Sequence, residues 1–215
     1  MSLWTMIIKM SEGLSRTCAI FFLTLLFSLP LGMIVALLRM SKVKVISAVT
    51  RFFITVLRGT PLMLQLLAVT YGPYYLFRAS VARNKLIPVV IAFSINYAAY
   101  FAEIYRGGIE SIPIGQYEAA AVLGYSKFQT FTRIILPQVI KRIMPSITNE
   151  VVTLVKDTSI AFTVSYQEMF TIGKQIANSQ TSFTPFVVAG VFYYLFNVIV
   201  DFVMGRIEKK LDYYK

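Results

Sequence analysis

The chain contains no histidine, so it lacks the residue most used for acid–base catalysis near neutral pH and for binding transition metals. It holds a single cysteine, Cys18, set in an apolar run. No intramolecular disulfide can form, and Cys18 reads as a small apolar side chain. Charge is scarce as well: 14% of the 215 residues are Asp, Glu, Lys or Arg, where a water-soluble domain carries roughly 25%. A chain this short of charge cannot cover a water-facing surface. No Gly-x-x-x-x-Gly-Lys-Ser/Thr phosphate loop is present, because Gly173-Lys174 lacks both the upstream glycine and the following hydroxyl residue. Neither a Gly-x-Ser-x-Gly nor a His-Glu-x-x-His sequence occurs, which leaves no evident catalytic constellation and no metal site.

What the chain does contain is apolar: 57% of residues, with a mean hydropathy of +0.67. Five runs reach or approach the ~20 residues that cross a ~30 Å hydrocarbon core. They are Leu14 to Leu38, Thr60 to Phe77, Leu86 to Tyr105, Ile140 to Val164 and Phe186 to Met204. The first run is too long for a cleavable signal peptide. Before it, Met1 to Ser15, with Leu3, Trp4, Ile7 and Ile8, reads as an interfacial helix or helical lead-in. Thr60 is the expected N-cap of the second run, with Pro61 at its first helical position. Arg39 to Arg58 reads as a basic, slightly amphipathic connector.

The net charge of +11 raises the question of nucleic acid, since basic patches neutralise phosphates. Here the cations sit in clusters between apolar runs, which is a topology signal, so no nucleic-acid partner is expected. Fourteen Lys and Arg fall on one side of the five runs: Arg39, Lys42, Lys44, Arg51 and Arg58; Arg106, Lys127, Arg133, Lys141 and Arg142; and Arg206, Lys209, Lys210 and Lys215. Six fall on the other, namely Lys9, Arg16, Arg78, Arg83, Lys85 and Lys174. The richer side is cytoplasmic, which places the N-terminus outside and the C-terminus inside. There is no internal repeat of the kind many secondary transporters carry, so the chain is expected to need a second copy or a paralogue.

The most informative segment is Glu118-Ala119-Ala120 through Pro137. A good helix former opens it, Gly124 offers a break or a close approach, and a second amphipathic run with Phe128, Phe131, Ile134 and Ile135 follows. Pro137 is expected to close that second helix ahead of the fourth span. The spacing of Glu118, Ala119, Ala120, Gly124, Ile134, Leu136 and Pro137 resembles, at every position, the "EAA" loop of importers of the ATP-binding-cassette class. Arg58-Gly-Thr-Pro61 resembles the "RGTP" turn of their polar amino acid group, the histidine, glutamine, glutamate, arginine and opine permeases. Ala102 to Ile109 with Gly115-Gln116, and Lys156-Asp157-Thr158-Ser159, resemble further segments of the same group.

The resemblance implies one all-α membrane domain over residues 1–215, with the five-helix type I importer permease (MetI-like) fold and a coupling loop at about 116–137. It implies a multi-pass subunit of the bacterial cytoplasmic (inner) membrane that binds no cofactor itself, with ATP and Mg held by separate ATPase subunits. Those ATPases would dock around Glu118, Ala119, Ala120, Gly124, Tyr125, Ser126 and Lys127. A second permease subunit and an extracytoplasmic solute-binding protein complete the implied assembly, which imports a polar amino acid. The rival reading is a secondary transporter or channel that needs no ATPase.

Polar groups inside a span need a reason, since a charge at a helix centre costs ~2.5–3.5 kcal/mol on insertion scales. Asp157 either binds a substrate amino group or pairs with another helix. Lys156 attracts a carboxylate, snorkels outward or pairs with an acid elsewhere. Asn96, Tyr97 and Gln65 either contact substrate or serve as interhelical glue. With Arg58 and Ser159 from the two family segments, these form the candidate substrate pathway. Glu103 and Arg106, one turn apart at the cytoplasmic end, are expected to make a local ion pair or an interface contact. Phe21, Phe22, Phe192, Tyr193 and Tyr194 are expected to pack or face lipid.

Overall fold

Lipid offers a peptide group no hydrogen-bond partner, so a backbone crossing it must satisfy itself. Helices do so, and the computed structural model, which describes residues 2–80 and 82–211, contains nine α-helices and no strand among those residues. Met1 and Lys215, both used in the sequence reading, lie outside the described residues. The helices are α1 (Leu3–Arg39), α2 (Lys44–Gly59), α3 (Leu62–Phe77), α4 (Leu86–Glu110), α5 (Ile114–Val122), α6 (Lys127–Gln129), α7 (Leu136–Asp157), α8 (Met169–Gln180) and α9 (Thr184–Leu211).

Three of them, α1, α4 and α9, are each long and apolar enough to cross a membrane; α2 and α3 make a fourth candidate together, bent by 107°. Helix α1 absorbs the expected lead-in. Ser2 caps it by accepting from the Thr5 N–H at 3.2 Å, and 37 residues then run without a break. That is about 55 Å at 1.5 Å per residue, more than the hydrocarbon core, and its first turn leaves Trp4 exposed.

Helix α4 is the centre of the fold, with 67% of its most apolar window buried. Small residues let α1 come close: a Cβ on Gly32 would lie 2.8 Å from Phe101 Cβ and 3.1 Å from the Ala98 carbonyl oxygen. Small side chains at such crossings are how helices associate where no hydrophobic effect drives them together. Phe21 is buried in this core and meets Phe196 edge-on, while Phe22 and Tyr194 are exposed.

Four expectations need correction. The connector after α1 is itself a helix, α2, whose buried face carries Thr50 and Ile54. Pro61, not Thr60, is the N-cap residue of α3; Thr60 ends α2 and its hydroxyl donates to the Val56 carbonyl at 2.8 Å. Pro137 does not end a helix, because α6 runs into α7 through a π-helical segment, Thr130–Ile135. Proline cannot donate and its ring crowds the carbonyl four residues back, and the wider π turn, with Leu136 N–H bonded to Phe131 C=O, absorbs both effects. Finally, α8 has no counterpart in the sequence reading, because Lys174, Gln175, Asn178 and Ser179 make it too polar to stand out.

The start of α8 is held by a buried acid. Glu168 is fully buried, and its carboxylate accepts from the N–H groups of Phe170 (2.7 Å) and Thr171 (2.6 Å), the Thr171 hydroxyl (2.7 Å) and the Tyr193 hydroxyl of α9 (2.9 Å). Tyr193 packs against the core as expected and is in addition a hydrogen-bonding tie. Burial pushes the Glu168 pKa up, against the downward pull of its donors. The folded chain holds this proton more tightly than the unfolded chain, so the group's contribution to stability falls as pH rises above the ordinary carboxylate range.

Two outcomes follow for thermal unfolding of the solubilised protein. Gly32→Ala overpacks the α1–α4 crossing and costs about 1–3 kcal/mol, whereas Gly190→Ala, at a position with nothing within 4 Å, leaves the midpoint nearly unchanged. Glu168→Ala strands the Tyr193 and Thr171 donors, costs about 1–3 kcal/mol, and flattens the decline in stability between mildly acidic and neutral pH.

Candidate functional site

The break between α2 and α3 begins with chemistry. In a continuous helix the Leu57 carbonyl would accept from residue 61, but that residue is proline and has no N–H. Two side-chain amides supply the missing donors: Gln65 Nε2 at 2.8 Å and Asn96 Nδ2 at 3.2 Å. Gln65 also donates to the Thr60 hydroxyl at 2.8 Å and accepts from Asn96 at 3.0 Å. This network clamps the elbow onto the middle of α4.

Beside the elbow lies a polar pocket of about 220 Å³. The elbow contributes Thr60 and Leu62, α4 contributes Asn96, Tyr97 and Tyr100, and α7 contributes Glu150, Thr153 and Asp157. The last three fall at i, i+3 and i+7, which puts them on one face of the helix. Asp157 accepts from the Tyr97 hydroxyl at 2.7 Å, joining α7 to α4. Glu150 makes no hydrogen bond among the described residues, and the cation of this chain that acts on its carboxylate is Arg58, in the neighbouring cavity. Among the described residues no group of three or more His, Cys, Asp or Glu side chains is placed to hold a metal ion.

The structure thus gathers Asn96, Tyr97 and Asp157 at the pocket and sets Gln65 behind Asn96. Arg58 stands over the Tyr100 ring at 5.1 Å and lines the neighbouring cavity instead. Lys156 is exposed and does not line the pocket, and Ser159 turns its hydroxyl back to the Lys156 carbonyl at 2.8 Å. Five lining residues escaped the sequence reading: Thr60 and Leu62 as pocket groups, Tyr100, Thr153 and Glu150. Glu150 had a usable signal, an acid seven residues before Asp157 within one span.

At the far end of α7 lies the Glu118 to Lys127 turn. Helix α5 ends at Leu123 in a Schellman motif: Tyr125 N–H bonds the Ala120 carbonyl and Gly124 N–H the Ala121 carbonyl, each at 3.0 Å. Gly124 holds φ +77°, a conformation that favours glycine, and apart from its chain neighbours nothing among the described residues lies within 4 Å of where a Cβ would be. Ser126 then opens the next helix with a capping box to Gln129. Glu118, Ala119, Tyr125, Ser126 and Lys127 are exposed while Ala120 is buried. Ile114, Val122, Leu123 and Phe128 add exposed apolar surface. The expected Glu103–Arg106 ion pair is present at 2.6 Å.

Comparison with known proteins agrees with this architecture. The chain is 35% identical over 208 residues to the L-cystine transport system permease protein TcyB of Bacillus subtilis, covering 95% of this chain and 87% of that protein. It is 33% identical over 201 residues to the arginine transport system permease protein ArtQ of the same organism, covering 93% and 91%. Among solved structures, an amino acid ABC transporter crystallised with histidines superposes with a TM-score of 0.87 at 28% identity over 98% of this chain and 99% of that one. The methionine ABC transporter MetNI, at 18% identity and a TM-score of 0.74, shares the fold. Residues 28–213 match one family, and this all-helical chain, with the type I importer permease fold, belongs to it: the binding-protein-dependent transport system inner membrane components.

Proposed function

We propose that this chain is the membrane-spanning subunit of an ATP-driven importer and that a polar amino acid passes through the pocket between α4 and α7. The observation that carries the reading is the pairing of Glu150 and Asp157 on one face of α7, in a pocket whose remaining polar groups are neutral. Two carboxylates in an apolar slab suit the ammonium group, or a cationic side chain, of an amino acid. Asn96, Thr60 and the two tyrosines offer neutral hydrogen bonds to its remaining polar atoms. The amino-acid systems to which the relatives belong support this choice of substrate class. Family membership also leaves the secondary-transporter reading without support.

In this reading α7 and its 3-10 extension, Thr158–Val164, form a fifth span, the N-terminus lies outside and the C-terminus lies in the cytoplasm of a bacterial cell. Separate ATPase subunits, which hold ATP and Mg, dock on the Glu118 to Lys127 turn, where exposed Val122, Leu123 and Phe128 await cover. From Lys127 to Asp157 the chain is helical throughout, so a push at the docking turn reaches Glu150 and Asp157 along one element. A second permease subunit, identical or paralogous, completes the pathway. A solute-binding protein delivers substrate from outside.

Two measurements test this. In proteoliposomes holding the full assembly, Asp157→Ala and Glu150→Gln each lower uptake roughly tenfold or more, since a bond to a charged group is worth about 1.5–3 kcal/mol. ATPase co-purification stays intact in both. Uptake at the parental rate and with the parental substrate preference would remove these residues from the pathway. Gly124→Leu strains the positive-φ cap and blocks the partner's approach, so ATPase co-purification drops while membrane insertion is normal.

A further inference from the structure

A second cavity, of about 410 Å³, opens where the end of α1, one face of α2 and the end of α4 meet. Its charged lining is four guanidinium groups, Arg39, Arg51, Arg58 and Arg106, against one carboxylate, Glu103. That carboxylate is already engaged. Arg106 donates to it from Nη2 at 2.6 Å and Nε at 3.1 Å, and gives Nη1 to Glu110. Arg39 Nε stands 4.0 Å from Glu103 and is buried without a hydrogen-bond acceptor among the described residues, while its Nη1 donates to neutral Ser47. Among the described residues neither Arg51 nor Arg58 has a carboxylate within ion-pair distance.

Cations gathered in a crevice with low-dielectric walls repel one another and focus a positive potential. An anion that bridges them relieves the repulsion, and the planar guanidinium fork matches phosphate oxygens in particular. Two further features narrow the choice. Arg39 ends the first long apolar run, the level at which head-group phosphates meet basic residues. Along α2, Val45, Val49, Phe52 and Val56 are exposed at i, i+4, i+7 and i+11, an apolar stripe suited to acyl chains.

We propose that this arginine-lined cavity binds a phosphate group, whose source is the head group of an anionic membrane lipid or free phosphate, with the α2 stripe favouring the lipid. The site is separate from the substrate pocket and needs no assumption about what is transported.

The test is thermal unfolding of the complete assembly, delipidated in neutral detergent, with three additions: phosphatidylglycerol mixed with phosphatidylcholine, phosphatidylcholine alone, and inorganic phosphate. The expected result is a rise in midpoint with phosphatidylglycerol and none with phosphatidylcholine. The apparent affinity falls at least about tenfold in the Arg39→Gln/Arg51→Gln pair, one lost charge-assisted contact being worth that much. Lys42→Gln/Lys44→Gln, which removes the same charge nearby but outside the cavity, keeps the parental affinity. Protection by inorganic phosphate, lost in the same arginine pair, assigns the source to free anion instead. If the double variant does not fold, Arg51→Gln alone, which breaks no side-chain hydrogen bond, is read by native mass spectrometry for bound phospholipid. Equal loss in the arginine and lysine pairs, or no protection by either phosphate source, overturns the proposal.

Discussion

In hydrocarbon an unpaired carbonyl costs several kcal/mol, and Pro61 leaves the Leu57 carbonyl in that position. The Gln65 and Asn96 amides resolve it, and much else follows from their doing so. A continuous helix becomes two helices at 107°. The bend brings Thr60 against α4 and sets Arg58 over Tyr100, so the elbow forms one wall of the polar pocket and one edge of the arginine cavity. Asn96 and Gln65 thus do structural work first, holding the wall of a site whose charges come from α7.

The two cavities have opposite electrostatic character although they share the elbow. The pocket pairs Glu150 and Asp157 with neutral groups. The neighbouring cavity sets four arginines against one engaged carboxylate. Charges of both signs within the apolar part of a chain are costly, and Arg58, in the lining of the cavity, acts electrostatically on Glu150 of the pocket as well as on Glu103. Among the described residues the short ion pairs, Glu103 and Glu110 with Arg106, lie within one helix, and only the looser Arg39–Glu103 contact at 4.0 Å joins α1 to α4.

Mechanical continuity depends on the π-helical segment. Had Pro137 ended a helix, the docking turn would join α7 through a flexible break. Because the wider turn accommodates the proline, the capping box at Ser126 and the carboxylates of α7 belong to one helical run of about 46 Å. The Schellman cap at Gly124 and the box at Ser126 follow one another directly, which gives the proposed docking turn a shape fixed by its own backbone hydrogen bonds.

The sequence by itself determined the class of this protein, because the class rests on local properties. Scarce charge and long apolar runs make a membrane helix wherever they stand, and the Glu118 to Pro137 spacing is a pattern along one strand of text. The Glu103–Arg106 pair and the Gly124 break were legible for the same reason, since i,i+3 neighbours and positive-φ caps involve one helix turn. The pocket was legible only in part. Asn96, Tyr97 and Asp157 were found because each is polar in an apolar run, but nothing local says that Tyr97 bonds Asp157 sixty residues away. Nor does it say that Lys156 and Ser159, adjacent to Asp157, turn elsewhere. Helix α8 and its buried Glu168 cap were decided by burial against α1 and α9, contacts that no periodicity reports. The elbow shows the limit most plainly: proline forces a broken hydrogen bond locally, but which side chain repairs it, and therefore where the site forms, is a property of packing.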